Sequence, residues 1–138
     1  MIYQLVYAST ARKVMSEEAL FELLNKAREN NEKLQITGFL VYHSAVFLQY
    51  LEGPETAVKT LFDKICQDTR HSACTILLES SSDQRIAEQW SMAYKKIDEI
   101  KPELMQKLVE ITAAYQDKQD MSDRDKIMDL LRRFRLQL

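Results

Sequence analysis

The sequence predicts an α+β fold of the ferredoxin-like kind, β-α-β-β-α-β with one additional strand. The expected architecture is a five-stranded mixed sheet with two helices on one face and two more helices at the C-terminus. Three observations predict it. Strand-like apolar runs lie near residues 2–8, 36–42, 46–51, 73–79 and 90–97. Helical spacing of apolar residues separates the first run from the second and the third from the fourth. Only 2 glycines and 2 prolines occur in 138 residues, so regular elements are joined by short turns.

Ile2 to Ala8 reads as the first strand, with Tyr3, Leu5 and Tyr7 on one face. Ser9 to Met15 reads as a loop. Ser16 is a fitting N-cap, and Glu17 and Glu18 complement the positive helix end. Leu20, Leu23, Leu24 and Ala27 form the apolar stripe of a helix that is expected to end near Asn30-Asn31. Ile36 to Tyr42 is the second strand, His43-Ser44 a tight turn, and Val46 to Leu51 the third strand. Gly53-Pro54 announces the next helix, because proline suits a first helical position. Its buried stripe is Val58, Leu61, Phe62 and Ile65. Asp68 to Ser72 reads as a polar loop, Ala73 to Glu79 as the fourth strand, Ser80 to Glu88 as a connection, and Trp90 to Ile97 as the fifth strand. Beyond it, Glu99 to Gln116 reads as one amphipathic helix. Ser122-Asp123-Arg124-Asp125 resembles a capping box that opens another, with Ile127, Leu130, Leu131 and Phe134 on one side. Each needs an apolar partner, either the bare sheet face or a second subunit. This divides the chain into residues 1–97 and a helical extension, 98–138.

Composition excludes several classes. A net charge of -2 gives no general attraction to nucleic acid or anionic membrane. No stretch free of charges reaches the roughly 20 residues of a membrane span, and the N-terminus lacks the pattern of a signal peptide. Cys66 and Cys74 lie in apolar patterns and read as reduced, buried thiols of a cytoplasmic protein in preference to a disulfide. With only His43 and His71 as histidines and no ligands at metal spacing, no metal site is expected. The Arg132-Arg133-x-Arg135 run reads as a helix C-terminus complementing its dipole.

The chemistry centres on a polar residue in an apolar strand. Phe47, Gln49 and Leu51 share one strand face, and Gln49 is its only polar member. A buried primary amide needs partners for a carbonyl and two N–H donors. Either the amide is bonded within the protein, the strand is an edge, or something polar docks there. In the predicted topology the first and third strands are neighbours, which brings Tyr7 beside Gln49 beneath the helices. Asn31 adds a second amide above the same spot, or caps its helix. Lys64, Asp68, Arg70 and His71 form a small basic cluster suited to a phosphate, or a solvated loop.

These residues resemble the BLUF family of blue-light flavin sensors. The resemblance rests on Leu5-Val6-Tyr7-Ala8-Ser9, on Asn31 followed by Ile36-Thr37-Gly38, on Phe47-Leu48-Gln49-Tyr50-Leu51-Glu52-Gly53, on Asp68-x-Arg70-His71, and on Trp90-Ser91-Met92. It covers about residues 1–97 and implies non-covalently bound FAD between the two helices. It also implies that Tyr7 donates an electron and then a proton to the photoexcited flavin, and that Gln49 rearranges between phenol and flavin. Asn30 and Asn31 are implied as flavin-binding amides, Leu23, Ile36 and Phe47 as apolar cleft residues, and Lys64, Asp68, Arg70 and His71 as the ribityl and phosphate end. Trp90 and Met92 match the residues that pass the signal on. Two departures stand out: Lys64 where many relatives carry arginine, and Ala8 where serine is common. The resemblance implies a non-enzymatic receptor, expected to form a homo-oligomer and to signal to an unidentified downstream protein. Two other readings differ from it: a small acyl-phosphate hydrolase, for which Ser9-Thr10-Ala11-Arg12 offers no anion-cradling glycine loop, and an oligomerisation or adaptor module without photoactivity.

Overall fold

The computed structural model describes residues 1–43, 45–87 and 93–95. In chain order its elements are β1 (Ile2–Ala11), α1 (Glu17–Leu34), β2 (Thr37–His43), β3 (Val46–Gly53), α2 (Glu55–Gln67), β4 (His71–Ser82) and β5 (Ala93–Lys95). The sheet order is β4-β1-β3-β2-β5. The first four strands pair antiparallel, and the short β5 segment pairs parallel with β2. Of the expected fifth strand, Trp90 to Ile97, only Ala93–Lys95 is among the described residues. Trp90, Met92, Ser44 of the expected turn and the two C-terminal helices lie outside them.

β1 is central, flanked by β3 and β4, and its residues from Tyr3 to Ala8 are buried on both faces. On one face Leu5, Tyr7, Leu40, Phe47 and Leu51 pack with Leu20 and Leu24 of α1 and Val58 of α2 into a single core. Both helices therefore lie on the same side of the sheet. The other face carries Val6, Ala8, Phe39, Val41 and Tyr50, which are also buried.

Several element ends differ from expectation, each because pairing outweighs local preference. β1 runs on through Ser9, Thr10 and Ala11, since Thr10 and Ala11 pair with Ser72 and His71. His71 and Ser72 are thus strand residues, not loop residues. Ser80 to Ser82 extend the same strand, because they pair with Gln4, Tyr3 and Ile2. Ser16 caps α1 as expected, its Oγ accepting from the Ala19 N–H at 3.1 Å. The helix continues past Asn30-Asn31 to Leu34, where Gln35 takes the left-handed φ of 59° that closes it. Asn31 is therefore an interior helix residue with a buried side chain, not a cap. Pro54 is the N-cap of α2, one position earlier than expected.

Two glycine-proximal features set the sheet. A Cβ on Gly38 would stand 2.0 Å from the Tyr50 carbonyl oxygen, so only glycine lets β2 lie this close to β3 there. At the end of β3, fully buried Glu52 gathers a polar cluster on the second face. Its carboxylate accepts from Thr37 Oγ1 (3.1 Å), Tyr50 Oη (2.7 Å) and the backbone N–H groups of Ile86 (2.8 Å) and Ala87 (2.5 Å). Arg85 closes the cluster by donating to Thr37 Oγ1 and to the Gln35 carbonyl. Burial, and then the Glu52 charge, push the Tyr50 phenol far above its usual range. Nothing in the apolar run of β3 marked Glu52 as anything but a strand-end carboxylate.

Candidate functional site

A cleft opens between α1 and α2, with β1 and β3 as its floor. Strand alternation and register build that floor. Tyr7 and Gln49 are direct partners in the β1–β3 ladder, so their side chains stand side by side on the helix-covered face. The Tyr7 hydroxyl donates to Gln49 Oε1. Both groups are buried, Tyr7 at 1% exposure and Gln49 at 7%. The Tyr7 ring also packs on Phe62 of α2, 5.1 Å between centroids. Burial, reinforced by the nearby sulfurs of Cys74 and Cys66, pushes the phenol well above its usual pKa. Tyr7 is consequently a neutral hydrogen-bond donor at any physiological pH. With its carbonyl turned to Tyr7, the Gln49 amide carries its two N–H donors at its opposite end.

Most of the residues singled out from sequence meet here. Leu23, Asn30, Asn31, Phe47, Lys64, Asp68, Arg70 and His71 line the cleft together with Tyr7 and Gln49. Ile36 does not: it is buried at 1% exposure within the core beneath, against the β3 end near Gly53. The cleft also takes in Leu24, Lys26, Ala27, Leu40, Leu61 and Ile65, which were not assigned to it from sequence. The helical residues carry a signal of their own, since 23, 27 and 30 on α1 and 61, 64, 65 and 68 at α2 follow one helical face. Leu40 carries none. It belongs to the site only because β2 pairs it with Gln49.

The expected basic cluster is less basic than its composition suggests. Arg70 grips Asp68 in a two-pronged pair, Nη2 to Oδ2 at 2.5 Å and Nε to Oδ1 at 3.0 Å. The bonds from Arg70 hold the Asp68 carboxyl down at about 2. His71 is buried, lies 3.0 Å from Ser9 Oγ through Nδ1, and packs on the Phe47 ring at 4.8 Å between centroids. Burial pushes its imidazole below the usual range, so it is neutral at pH 7. Lys26 from α1 and Lys64 from α2 remain as cationic side chains along the cleft. Among the described residues no group of His, Cys, Asp and Glu is arranged to hold a metal ion, and no helix is long and apolar enough to cross a membrane.

A family described as sensors of blue light using FAD matches residues 2–93. The chain belongs to the BLUF family. Among curated relatives, the photoactivated adenylate cyclase subunit alpha of Euglena gracilis is 33% identical over 93 residues, covering 67% of this chain and 9% of that protein. The blue light- and temperature-regulated antirepressor BluF of Escherichia coli (strain K12) is 37% identical over 71 residues, covering 51% of this chain and 18% of that protein. The chain thus spans a small part of the curated relatives it matches. Among solved structures, BlsA in its photo-activated state superposes with a TM-score of 0.81 at 25% identity, covering 99% of this chain and 96% of that one.

The residues of the cleft fit the flavin for which the BLUF family is described. A planar tricyclic ring with a polar rim suits aliphatic walls from both helices, joined by two buried amides and a buried phenol. Gln49 and Asn31 supply the amides, at 7% and 1% exposure.

Proposed function

We propose that this chain is a blue-light photoreceptor that holds FAD in the α1–α2 cleft and uses Tyr7 and Gln49 as its photochemical pair. The observation that carries this reading is the buried Tyr7–Gln49 hydrogen bond at the cleft floor. Bound FAD supplies light absorption and an excited-state electron acceptor. Tyr7 would be the donor of an electron to that acceptor, and the Oη proton that it holds against Gln49 Oε1 would follow the electron to the same acceptor. Gln49, once that proton is displaced, reverses or tautomerises its amide, which exchanges donor for acceptor at the same position. With the proton and electron back on Tyr7, the rearranged Gln49 amide would persist as the lit state. Asn30 and Asn31 hold the ring's polar edge, and Lys26 and Lys64 meet the phosphate end. Lys64 offers a point charge there where a guanidinium would bind two oxygens at once.

Residues 1–97 form the sensory unit in this reading, and Trp90 and Met92 carry the change away from the cleft. The segment 98–138 covers the second sheet face or joins a second subunit. Output then passes to a protein partner or to an altered assembly of the chain.

The test is an absorption spectrum of the purified yellow protein before and after blue light. The expected result is a small red shift that reverses in the dark, retained flavin but no shift in Gln49→Leu, and no shift in Tyr7→Phe. Colourless protein after reconstitution with FAD, or an unchanged spectrum under saturating light, overturns the receptor reading and leaves an adaptor module. A normal shift in Gln49→Leu removes Gln49 from its role.

A further inference from the structure

The chain leaving β4 is fastened to the sheet at residues 85–87. Ile86 and Ala87 turn consecutive backbone N–H groups to the buried Glu52 carboxylate, Ile86 to Oε2 at 2.8 Å and Ala87 to Oε1 at 2.5 Å. Each oxygen also accepts one hydroxyl, Oε2 from Tyr50 and Oε1 from Thr37. Arg85 adds a second fastening. Its Nη2 donates to the Gln35 carbonyl at 2.7 Å, and its Nη1 to Thr37 Oγ1 at 2.8 Å and to the Glu52 carbonyl at 3.3 Å. Residues 85–87 are thereby tied to the end of α1, the start of β2 and the end of β3. The ladder to β5 begins beside this point. Thr37 opens β2, and two residues on, Phe39 pairs with Ala93, the first residue of β5. β5 is outermost in the sheet order and pairs with β2 at Phe39–Ala93, Leu40–Tyr94 and Val41–Lys95. A parallel ladder that short specifies its own register weakly. The register matters, because Leu40 is also the ladder partner of Gln49. Tyr7, Gln49, Leu40 and Tyr94 thus form one row across four strands. A slip of one residue would turn β5 over relative to that row.

We propose that Glu52 and Arg85 are positioning residues that pin the register of β5 on β2, and so fix which residue of the outermost strand stands in the row of Tyr7 and Gln49. Consecutive N–H groups shared between the two oxygens of one carboxylate set both the place and the direction of the chain at residues 86 and 87. Only residues 88–92 separate that fixed point from Ala93. The guanidinium locks the same point to Gln35 and Thr37, so the chain enters β5 level with the start of β2. The pin is also separate from the cleft. Glu52 and Gln49 are three residues apart on β3 and lie on opposite faces of the sheet. Loosening the pin therefore leaves the Tyr7–Gln49 bond in place. What the pin means for light sensing rests on the photoreceptor reading above, whereas the pinning itself does not.

The test is hydrogen–deuterium exchange, resolved to peptides, on the full chain at saturating FAD. Wild type, Glu52→Gln and Arg85→Gln are compared in darkness and under blue light. Glu52→Gln keeps the shape of the side chain but turns an N–H2 group toward one of the two backbone donors. Arg85→Gln trims a half-buried side chain and serves where the first variant does not fold. In darkness both variants should raise exchange in the peptide spanning residues 86–95 by at least about tenfold, because a local opening needs fewer bonds broken. Peptides from β1 and β4, and the flavin red shift, should stay as in the wild type. A merely structural loss would instead raise exchange throughout the sheet. Illumination should alter exchange of residues 86–95 in the wild type and leave it unaltered in both variants. Unchanged dark exchange of that peptide, or a rise spread equally over β1 and β4, would overturn the pin. A light response of residues 86–95 that survives in both variants would overturn its part in signalling. A wild type without a red shift defeats the photoreceptor reading, and the dark comparison still decides the pin.

Discussion

Removing the two halves of the Tyr7–Gln49 bond separately and together tests the central contact as a coupling energy. Tyr7→Phe keeps the ring and its packing on Phe62 but deletes the hydroxyl that Gln49 Oε1 accepts from. Gln49→Leu keeps a side chain of similar length and deletes the acceptor. Each single change leaves one desolvated polar group at a site with at most 7% exposure. An unmet buried group costs about 1–3 kcal/mol, so each variant should lose about that much stability. In the double variant neither polar group remains, and apolar replacement of both partners is close to neutral. The double loss should therefore fall short of the summed single losses by about 1–2 kcal/mol. The assay is urea unfolding of the four proteins at one fixed, saturating FAD concentration, because a bound ligand shifts apparent stability. Losses that add to within about 0.5 kcal/mol would mean that the two groups are energetically independent. The floor of the cleft would then be held by packing alone, and the reasoning that places a switchable hydrogen bond there would fail.

The remaining predictions concern the scaffold. Glu52→Ala should cost about 3–5 kcal/mol, since it strands two hydroxyls and the Ile86 and Ala87 N–H groups in the interior; an unfolding midpoint within error of the parent would refute the role of that carboxylate. Gly38→Ala should destabilise by about 3 kcal/mol or prevent soluble expression, because the new methyl meets the Tyr50 carbonyl at 2.0 Å; a stable, normally coloured variant would show that the β2–β3 approach is not tight. Burial lowers the His71 pKa in the folded state, so the unfolded chain takes up a proton there first as pH falls. Stability is thus fully present above the unfolded value of about 6.5 and declines below it. His71→Gln should flatten the slope of unfolding free energy against pH just below the unfolded value of about 6.5, and an unchanged slope would assign the dependence to another group.

Much of the site was legible because its signals are local. Period-two alternation put Tyr7 with Leu5, and Gln49 with Phe47 and Leu51, on single strand faces. A lone amide on an apolar face stands out without any coordinates. Helical spacing marked the stripes of α1 and α2 that wall the cleft. Element ends were harder to read. Ser9 to Ala11, His71-Ser72 and Ser80 to Ser82 are polar or small residues that read as loop, yet β1 and β4 pair through all of them. The same limit applied to His71. Its burial against Phe47 and its contact with Ser9 come from β4 running beside β1, and they turn an expected cation into a neutral ring.

The amino-acid sequence by itself determined the element order, the faces on which Tyr7 and Gln49 lie, and the family to which the chain belongs, since each of these is written in short-range periodicity or in contiguous motifs. Tertiary structure alone decided which residues meet. Strand register made Tyr7 and Gln49 direct partners and brought Leu40 to the cleft. One bulge put two residues of β4, Ala73 and Cys74, opposite the single Ser9 of β1. The pairing of Arg70 with Asp68 set how much positive charge the cleft keeps. The physical reason is that alternation and helical period are properties of a few neighbouring residues. Contact, burial and charge balance depend on which distant segments the hydrogen-bonded ladder brings alongside.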